Sequence, residues 1–367
     1  MTESEVKAGL LFSDSGGGQS AFGAYRAGVD ARLGIANAAG GVNGRKVVYN
    51  WYDDASDSAQ NLFGAQKLVQ SDAAFGIIEG TAVASGSAQY LDSHQIPVVG
   101  VGGNLAWAQY ANMFAWSYYT TEAGSTSVWG DLVRSRGGTR AVLVDTAMSD
   151  LAKFHRQLAA SLQSAGVQVV QNFEVTAGTA NFNTLVQRMK AANIDTLTGS
   201  VFPDVLAAIL PAARAAGVNL KVVLAPLGYD PKLLHLIGPA LAGTVIYLDF
   251  APFELNSPEH ARLLTAMATY APQIQNPAQE SAAFGWLSAD MFLRGLQAAG
   301  ACPTRAAFVT GLRAVHDYDG GGLLPSPIDF ATNRGQLSAC YDFVQVSDDG
   351  SHFVPLQPVS HCGRRLP

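Results

Sequence analysis

The sequence predicts an α/β protein with two lobes, each built on a parallel sheet that helices cover on both faces. Apolar segments of strand length alternate with helical segments along the chain, which is the pattern of strand–helix–strand units. The alternation occurs as two series, separated by a break near residues 105–125. The length of 367 residues also favours two domains, since a domain usually has roughly 100–200 residues.

The first series starts with an apolar strand and then alternates helices with strands. Gly40-Gly41 is a signal for the end of its first helix, and Asp57 or Ser58 can cap the second. The predicted strands cover residues 6–12, 46–52, 75–79 and 96–101, and the predicted helices cover 19–39, 57–69 and 85–93.

The second series repeats the pattern and is followed by three helices and a hairpin. Gly166 and Gly217 end two of its helices, and Asp348-Asp349-Gly350 joins the two strands of the hairpin. The predicted strands cover residues 140–145, 167–175, 196–201, 220–225, 244–248, 341–346 and 352–355. The predicted helices cover residues 150–165, 182–192, 206–216, 231–237, 258–270, 282–299 and 305–315.

The composition excludes several classes of protein. With 48% hydrophobic residues the chain can form large cores, which excludes a disordered protein. The net charge of −6 comes without a basic stripe, so nucleic-acid binding is not expected. The sequence lacks a run of about 18 apolar residues, so no transmembrane helix is predicted. Residues 1–7 are polar and show no signal peptide, which leaves open a cytoplasmic protein or a mature chain with an added start Met.

The three cysteines show no metal-binding or redox spacing. They are Cys302, Cys340 and Cys362, and the absence of a CxxC pair argues against a zinc ribbon or a thioredoxin-type site. Cys340 and Cys362 flank the predicted hairpin, so antiparallel pairing could bring them together as a disulfide. Such a bond would imply an oxidising compartment. The alternative is three buried thiols.

The segments that follow the predicted strands are the expected ligand site. In open α/β sheets, ligands bind beyond the carboxyl ends of the strands. Most of these segments are rich in Gly, Ser, Thr or aromatic residues, which suits a binding cleft. They comprise residues 13–20, 80–85, 102–104, 146–149, 202 and 227–229.

Several short motifs carry a family resemblance over nearly the whole chain. Residues 37–45 read NAAGGVNGR, and residues 177–195 read AGTANFNTLVQRMKAANID. Tyr52-Asp53-Asp54 and Ile96-Pro97-Val98-Val99 lie between these two segments. With these motifs the sequence resembles the type I periplasmic binding proteins, in particular the leucine/isoleucine/valine-binding branch of ABC-transporter solute receptors.

The resemblance implies two Rossmann-like lobes joined by three crossovers, with a small ligand trapped as the lobes close. It also implies a receptor and not an enzyme, with no cofactor, that delivers its ligand to the membrane permease of an ABC importer. We expect a periplasmic or extracellular monomer, either free or lipid-anchored. The crossovers are expected near Thr120, Ala251 and Ile328, which gives an N-terminal lobe of residues 1–121 plus 252–327 and a C-terminal lobe of 122–251 plus 328–367.

The resemblance further implies where the ligand is held. In the family, the segment before the third helix and the end of the next strand grip the ligand's carboxylate. The matching residues are Ala84, Ser85, Gly102, Gly103 and Asn104. Ala84 replaces a serine of the amino-acid binders, so one hydroxyl is lost, and Ser85 could also be a plain helix cap. The other candidate contacts are Phe22, Tyr118, Tyr119, Thr121, Ser149, Phe202, Leu227 and Tyr229.

Leu227 departs from the pattern of the amino-acid binders. Those proteins use an acidic residue at this position to hold the ligand's ammonium group. A buried ammonium without an anionic partner is costly, and Glu122 is the one substitute that the sequence suggests. The expected ligand is therefore a carboxylate or amide with an apolar or aromatic body. The aromatic candidates suit such a ligand, although ordinary core packing would also explain them.

Three other motifs lack the spacing that their function needs. The Gly-rich loop 15–20 follows a strand but has no GK[ST] sequence for a phosphate-binding loop. Asp53, Asp54 and Asp57 lack the glycine and glutamate of a calcium loop, and the histidines show no paired spacing for a metal. We therefore expect no metal ion and interpret the three aspartates as strand-end and capping carboxylates.

Two alternatives to a transport receptor remain open. One is a cytoplasmic ligand sensor of the same fold, similar to the amide-responsive regulators. The other is an α/β enzyme such as a dehydrogenase, because Gly16-x-Gly18-x-x-Ala21 meets the loose form of the dinucleotide fingerprint. That fingerprint also needs an acidic residue about 20 positions later, and Asp53 comes too late in the chain.

Overall fold

The chain divides into two units, and each unit is made of two separate stretches of sequence. The computed structural model describes residues 2–146, 151–175 and 182–367. Unit 1 comprises Met1–Glu122 and Asn256–Gln336, and unit 2 comprises Ala123–Leu255 and Leu337–Pro367. The chain therefore passes from one unit to the other after residues 122, 255 and 336.

Residues 328–336 lie in unit 1, whereas the sequence-based boundary assigned them to the second lobe. Phe330 packs edge-on against Phe114, with the ring centroids 5.9 Å apart. The Asn333 side-chain amide donates to the carbonyl of Ala115 at 3.1 Å. These contacts with a core strand hold the segment in unit 1.

The N-terminal stretch of unit 1 alternates strands with helices. The predicted helix over 19–39 is split in two, because the N–H of Ala24 donates to the Ser281 hydroxyl at 3.2 Å instead of continuing the helical ladder. A π-helical turn, Lys67–Ser71, directly follows the helix Ser58–Gln66 and extends it. The elements are β1 (Glu5–Phe12), α1 (Gln19–Phe22), α2 (Tyr25–Ala38), β2 (Lys46–Asp53), α3 (Ser58–Gln66), β3 (Gly76–Gly80), α4 (Ser85–Ser93), β4 (Val98–Gly102), α5 (Ala106–Gln109) and β5 (Met113–Tyr118).

The next stretch builds most of unit 2 with the same alternation. Asp230 caps one of its helices by accepting a hydrogen bond from the N–H of Lys232. The elements are β6 (Ser125–Thr126), α6 (Val128–Ser135), β7 (Arg140–Thr146), α7 (Leu151–Ser164), β8 (Gln168–Val175), α8 (Asn183–Ala191), β9 (Thr196–Thr198), α9 (Pro203–Ala215), β10 (Val222–Ala225), α10 (Pro231–Leu241) and β11 (Val245–Leu248).

The last two stretches complete unit 1 with helices and unit 2 with strands. Most side chains of the 19-residue helix Glu280–Ala298 are buried, so this helix forms part of the core of unit 1. The elements are α11 (Pro258–Tyr270), α12 (Glu280–Ala298), α13 (Arg305–Arg313), β12 (Cys340–Val346), β13 (Phe353–Cys362) and β14 (Arg365–Leu366).

Each unit is built on a sheet of mainly parallel strands, which confirms the predicted fold class. In the described part of unit 1, five strands pair in the order β2-β1-β3-β4-β5, all parallel. In the described part of unit 2, seven strands pair in the order β13-β12-β11-β10-β9-β7-β8. Strands β12 and β13 are antiparallel to their neighbours and form one edge of this sheet.

A disulfide closes the terminal hairpin. Cys340 and Cys362 lie opposite each other in the register of β12 and β13, and their sulfur atoms are bonded. Cys302 is an exposed free thiol, so the alternative of three buried thiols is wrong. Within the described ranges, every helix is too short or too polar to cross a lipid bilayer.

Candidate functional site

The carboxyl ends of β1, β2 and β3 meet in a buried polar cluster. The Ser13 hydroxyl donates to Asp54 Oδ1 at 2.7 Å and lies 3.0 Å from the Thr81 hydroxyl. All three side chains are buried. Parallel pairing of β1 with both neighbouring strands brings these residues together at one edge of the sheet. The cluster fixes the positions of the loops that leave this edge.

Asp53 holds the Gly-rich loop in place. Its carboxylate accepts hydrogen bonds from the N–H groups of Asp14 and Ser15 at 2.9 and 3.2 Å, and from the Ser15 hydroxyl at 2.6 Å. Burial raises the pKa of Asp53, but these hydrogen bonds outweigh it and hold the pKa below its usual value. Gly16 adopts φ +73°, and a Cβ there would lie 2.0 Å from the Ala55 carbonyl oxygen.

The acidic residues after β2 have structural partners. Asp57 caps α3 by accepting hydrogen bonds from Ala59 N and Gln60 N. Asp54 accepts hydrogen bonds from Ser13 and from the N–H of Ser56. Among the described residues, no group of three or more His, Cys, Asp or Glu side chains is placed to hold a metal ion.

The amino terminus of α4 presents two backbone donors. Within the described part of the chain, the N–H groups of Ala84 and Ser85 have no acceptor, whereas those of Val83 and Ser87 donate to Thr81 Oγ1 and Asn61 Oδ1. Ala84 is buried and Ser85 is exposed. Free N–H groups at a helix amino terminus, together with the helix dipole, favour an anion.

The structure brings the two predicted carboxylate-binding segments together. Asn104 Nδ2 donates to the carbonyl of Ala82 at 2.9 Å, and Asn104 Oδ1 accepts the N–H of Ala106 at 3.1 Å. The amide of Asn104 thus ties the loop after β4 to the loop before α4. A Cβ at Gly103 would lie 3.3 Å from the Thr81 carbonyl oxygen, so the two loops approach closely there.

The other candidates of unit 1 are mostly core residues in this structure. Phe22 is buried with its ring edge-on to Tyr25, at a centroid distance of 5.9 Å. Tyr118 packs in the apolar cluster of β3–β5, where burial raises its pKa to about 12. Thr121 is also buried. Tyr119 is half-buried, and its ring centroid lies 6.4 Å from that of Phe284.

The candidates of unit 2 differ in their exposure. Phe202 precedes α9 and is 40% exposed, which leaves its ring open to a ligand. Leu227 is half-buried in the loop after β10. Tyr229 is buried, and its hydroxyl donates to Glu254 Oε2 and accepts the N–H of Phe253, both at 2.7 Å.

Two of these findings limit the predicted site. Tyr229 fastens the loop after β10 to the chain near residue 253, and its hydroxyl proton is already donated to Glu254. Ser149 lies outside the described residues.

Sequence reasoning missed a Ser–Asp–His arrangement in unit 2. Asp145 Oδ1 accepts hydrogen bonds from the N–H and the hydroxyl of Ser200 at 3.0 and 2.9 Å, and Asp145 Oδ2 pairs with His155 Nδ1. Burial raises the pKa of Asp145, but the bonds from His155 and Ser200 lower it below its usual value. The serine donates to the carboxylate and not to the imidazole, so this order lacks the nucleophile–base pair of a hydrolase.

Sequence reasoning also missed Glu79, a charged residue inside the apolar strand β3. Its side chain is fully buried, and Oε1 accepts a hydrogen bond from Asn61 Nδ2 at 3.0 Å. A single acid within the run Gly76-Ile77-Ile78-Glu79-Gly80 was the available signal. Glu79 is the penultimate residue of β3, the strand that is followed by the loop to the free N–H groups of α4.

Comparisons with known proteins agree with this fold. The periplasmic binding protein family model matches residues 5–351. The Leu/Ile/Val/Thr-binding protein of Salmonella typhimurium strain LT2 is 27% identical over 226 residues, which cover 60% of this chain and 61% of that protein. The match thus spans about three fifths of the length of this curated relative.

Two solved structures share the fold. The solute-binding protein of an ABC transporter from R. palustris, in complex with benzoate, has a TM-score of 0.75 at 17% identity, covering 98% of this chain and 97% of that one. A fatty acid ABC transporter substrate-binding protein from Thermomonospora curvata has a TM-score of 0.77 at 17% identity, covering 99% and 94%. Because the family model extends over most of the sequence, this chain belongs to the periplasmic binding protein family.

Proposed function

We propose that this chain is the solute-binding receptor of an ABC importer and that it captures a small organic carboxylate or amide with an apolar or aromatic body. The observation that carries the proposal is the pair of free N–H groups at Ala84 and Ser85, at the amino terminus of α4. Such a pair suits one carboxylate or one amide oxygen. The names of the compared proteins support this chemistry, since benzoate, fatty acids and amino acids all carry a carboxylate.

The apolar body of the ligand is inferred from two side chains of unit 2. Leu227 stands where the amino-acid binders have an acid, and it provides no partner for an ammonium group. Phe202 offers an exposed ring at the end of the neighbouring strand. These side chains favour a benzoate-like or aliphatic acid over an α-amino acid.

The disulfide favours an extracytoplasmic receptor over a cytoplasmic sensor. Disulfides persist in oxidising compartments and are rare in the cytosol, and Cys340 is bonded to Cys362. A receptor outside the cytoplasm would deliver its ligand to a membrane permease as its partner.

Isothermal calorimetry with benzoate, benzamide, octanoate and leucine tests this function. We expect micromolar or tighter binding of at least one of the first three and weaker binding of leucine. Tight binding of leucine, isoleucine or valine, with none of the aromatic acids, would show that the ligand class is wrong. Failure of every small organic ligand would reject the receptor function.

The Ala84→Pro variant tests the site itself. Ala84 has φ −53°, which proline adopts, and the substitution removes one free N–H. Binding of the carboxylate should weaken by about tenfold, the loss of one charge-assisted hydrogen bond. The Ser85→Ala variant keeps both N–H groups and serves as the matched control, and thermal unfolding checks that both variants are folded.

A further inference from the structure

A chain of buried hydrogen bonds connects Glu79 to the amino terminus of α4. Asn61 is its centre, because its Nδ2 donates to Glu79 Oε1 at 3.0 Å and to Asp54 Oδ2 at 3.1 Å. The Oδ1 of the same amide accepts the N–H of Ser87, in the first turn of α4, at 2.9 Å. Asn61, Glu79 and Ser87 are all fully buried. One side chain thus holds two acids and one helix terminus.

The two carboxylates of this network are not equivalent. Asp54 accepts hydrogen bonds from Ser13, the Ser56 N–H and Asn61, which stabilise a negative charge. Glu79 Oε1 accepts a hydrogen bond from Asn61, and within the described part of the chain neither Glu79 Oε2 nor the neighbouring Ser87 hydroxyl has a partner at good hydrogen-bond geometry. A fully buried carboxylate with so little compensation favours its neutral form.

The groups around Glu79 reinforce this difference. Asp54 faces it from the end of β2 and adds a negative charge, whereas Tyr25 of α2 contributes only a neutral hydroxyl, which donates to the Glu79 carbonyl at 2.9 Å. No basic side chain of the described residues forms an ion pair with Glu79. Burial raises the pKa of Glu79 and the charge of Asp54 raises it further, whereas the side chains of Asn61 and Ser87 lower it in part; the net pKa is about 8.

We propose that Glu79 is a positioning residue whose neutral form keeps the amino terminus of α4 ready to bind an anion, and whose ionisation releases it. The part that concerns the ligand rests on the proposed function. Once ionised, Glu79 and Asp54 would repel each other across the single amide of Asn61. Asn61 would then lose its position, and Ser87 would lose its acceptor. A second negative charge beneath the free N–H groups of Ala84 and Ser85 would also oppose a carboxylate.

Ligand capture would then depend on pH. An anion at α4 would stabilise the protonated form of Glu79, so binding and protonation would favour each other. The solute would be held at neutral and acidic pH and released as the pH rises above about 8, the value that burial and Asp54 give the pKa of Glu79.

Hydrogen exchange of the ligand-free protein tests the structural step. The protection of residues 81–91, corrected for intrinsic rates, is measured between about pH 6 and pH 9 in the wild type and in Glu79→Gln, an isostere of the neutral acid. We expect protection to fall severalfold across this range in the wild type and to stay constant in Glu79→Gln. Glu174→Gln, at an exposed position of β8, is the matched control and should follow the wild type. A parallel loss of protection in all three proteins, or no loss in the wild type, would overturn the proposal.

Calorimetry with benzoate, or with whichever acid of the panel binds, tests the functional step. Benzoate stays ionised over this pH range, so a change in affinity reports on the protein. The wild-type Kd should rise about tenfold from pH 6 to pH 9, the factor set by a group with a pKa near 8, and Glu79→Gln should show no such rise. Equal pH profiles would disprove the coupling and leave the receptor function intact. Failure of every acid to bind would reject the receptor function, and the exchange experiment would still decide the structural step.

Discussion

In the proposed anion site at the amino terminus of α4, the backbone and the side chains would have different roles. The free N–H groups of Ala84 and Ser85 are backbone donors, so they supply affinity for an anion without specifying its body. In the proposed function, specificity for that body would come from side chains such as Leu227, which is half-buried and carries no charge. The buried acid Glu79 is linked to this helix terminus through Asn61, so its protonation state would change the charge near the free N–H groups.

The stability of the protein should depend on pH through Glu79. The folded state raises the pKa of this acid from 4.5 to about 8, so between these values it holds a proton that the unfolded chain has lost. The contribution of Glu79 is therefore fully present below pH 4.5 and is lost as the pH rises toward about 8, by ~1.4 kcal/mol per pH unit.

Urea denaturation of the wild type and Glu79→Gln at about pH 5, 6.5 and 8 measures this slope. We expect the free energy of unfolding of Glu79→Gln to exceed that of the wild type increasingly as the pH rises. The difference between the two proteins cancels the other titrating groups. A difference that does not change with pH would show that Glu79 ionises normally in the folded state.

Leu227→Asp should change the ligand preference. An acid at this position would restore a partner for an ammonium group, and it would repel a ligand without one. We expect benzoate affinity to fall by about tenfold or more and leucine binding to increase, as measured by calorimetry. Leu236→Asp is the matched control, since Leu236 is 80% exposed on α10 and should affect neither ligand. Unchanged preference in Leu227→Asp would remove this residue from the binding site.

At the scale of elements, the hydrophobic pattern predicts most strands and helices but not where they stop. The predicted strand over 196–201 ends at Thr198, because Gly199 adopts φ +139° and a Cβ there would lie 1.9 Å from the Val144 carbonyl oxygen. Strand β5 lies within the interval near residues 105–125 that sequence reasoning interpreted as a break. Helix α6, only eight residues long, lies between that interval and the first predicted strand of the second series and is also absent from the sequence-based prediction.

The positions of the candidate-site loops along the chain follow from the same pattern, but the contacts that hold these loops in place do not. Parallel strands place the segments after β3 and β4 at one edge, and within these segments the family resemblance implies Ala84, Ser85 and Asn104. The roles of Asn61 and Glu79 depend on how α3 packs against α4, which no local pattern encodes. The hydrogen bond from Tyr229 to Glu254, 25 residues away in the chain, is likewise not encoded by a local pattern.

The packing of α3 against α4 should be sensitive to a single methyl group. A Cβ at Gly86 would lie 2.2 Å from the Ser58 carbonyl oxygen, so Gly86→Ala must push the two helices apart. We expect a loss of ~1–3 kcal/mol in the free energy of unfolding, the usual cost of overpacking. Gly17→Ala is the control, because nothing lies within 4 Å of its added Cβ. Equal melting temperatures of the two variants would show that the helices adjust without strain.

At the scale of the whole molecule, the order of the chain makes unit 2 depend on its last 31 residues, Leu337–Pro367. Strand β12 pairs with β11 along Val245–Leu248 and covers what would otherwise be an open edge. Tyr341 and Phe343 belong to the core of the same unit, where the ring centroid of Tyr341 lies 5.5 Å from that of Trp129. A stretch that is remote in sequence therefore completes both the sheet and the core.

Unit 2 should consequently fold only when both of its stretches are present. Residues 123–255 expressed alone would expose Trp129, Tyr247 and the edge of β11, which favours aggregation. The same residues joined to 337–367 by a flexible linker of about ten residues regain β12, β13 and the disulfide.

We expect cooperative thermal unfolding from the joined protein and none from residues 123–255, as measured by circular dichroism. The Cys340→Ser/Cys362→Ser form of the joined protein is the control that separates the two contributions. It should still unfold cooperatively, at a free energy lower by ~2–4 kcal/mol, because the disulfide adds stability to a sheet that β12 already completes. Cooperative unfolding of residues 123–255 alone would show that β12 is an addition to a finished core. Non-cooperative unfolding of the serine form would assign the folding of unit 2 to the disulfide and not to the returning strand.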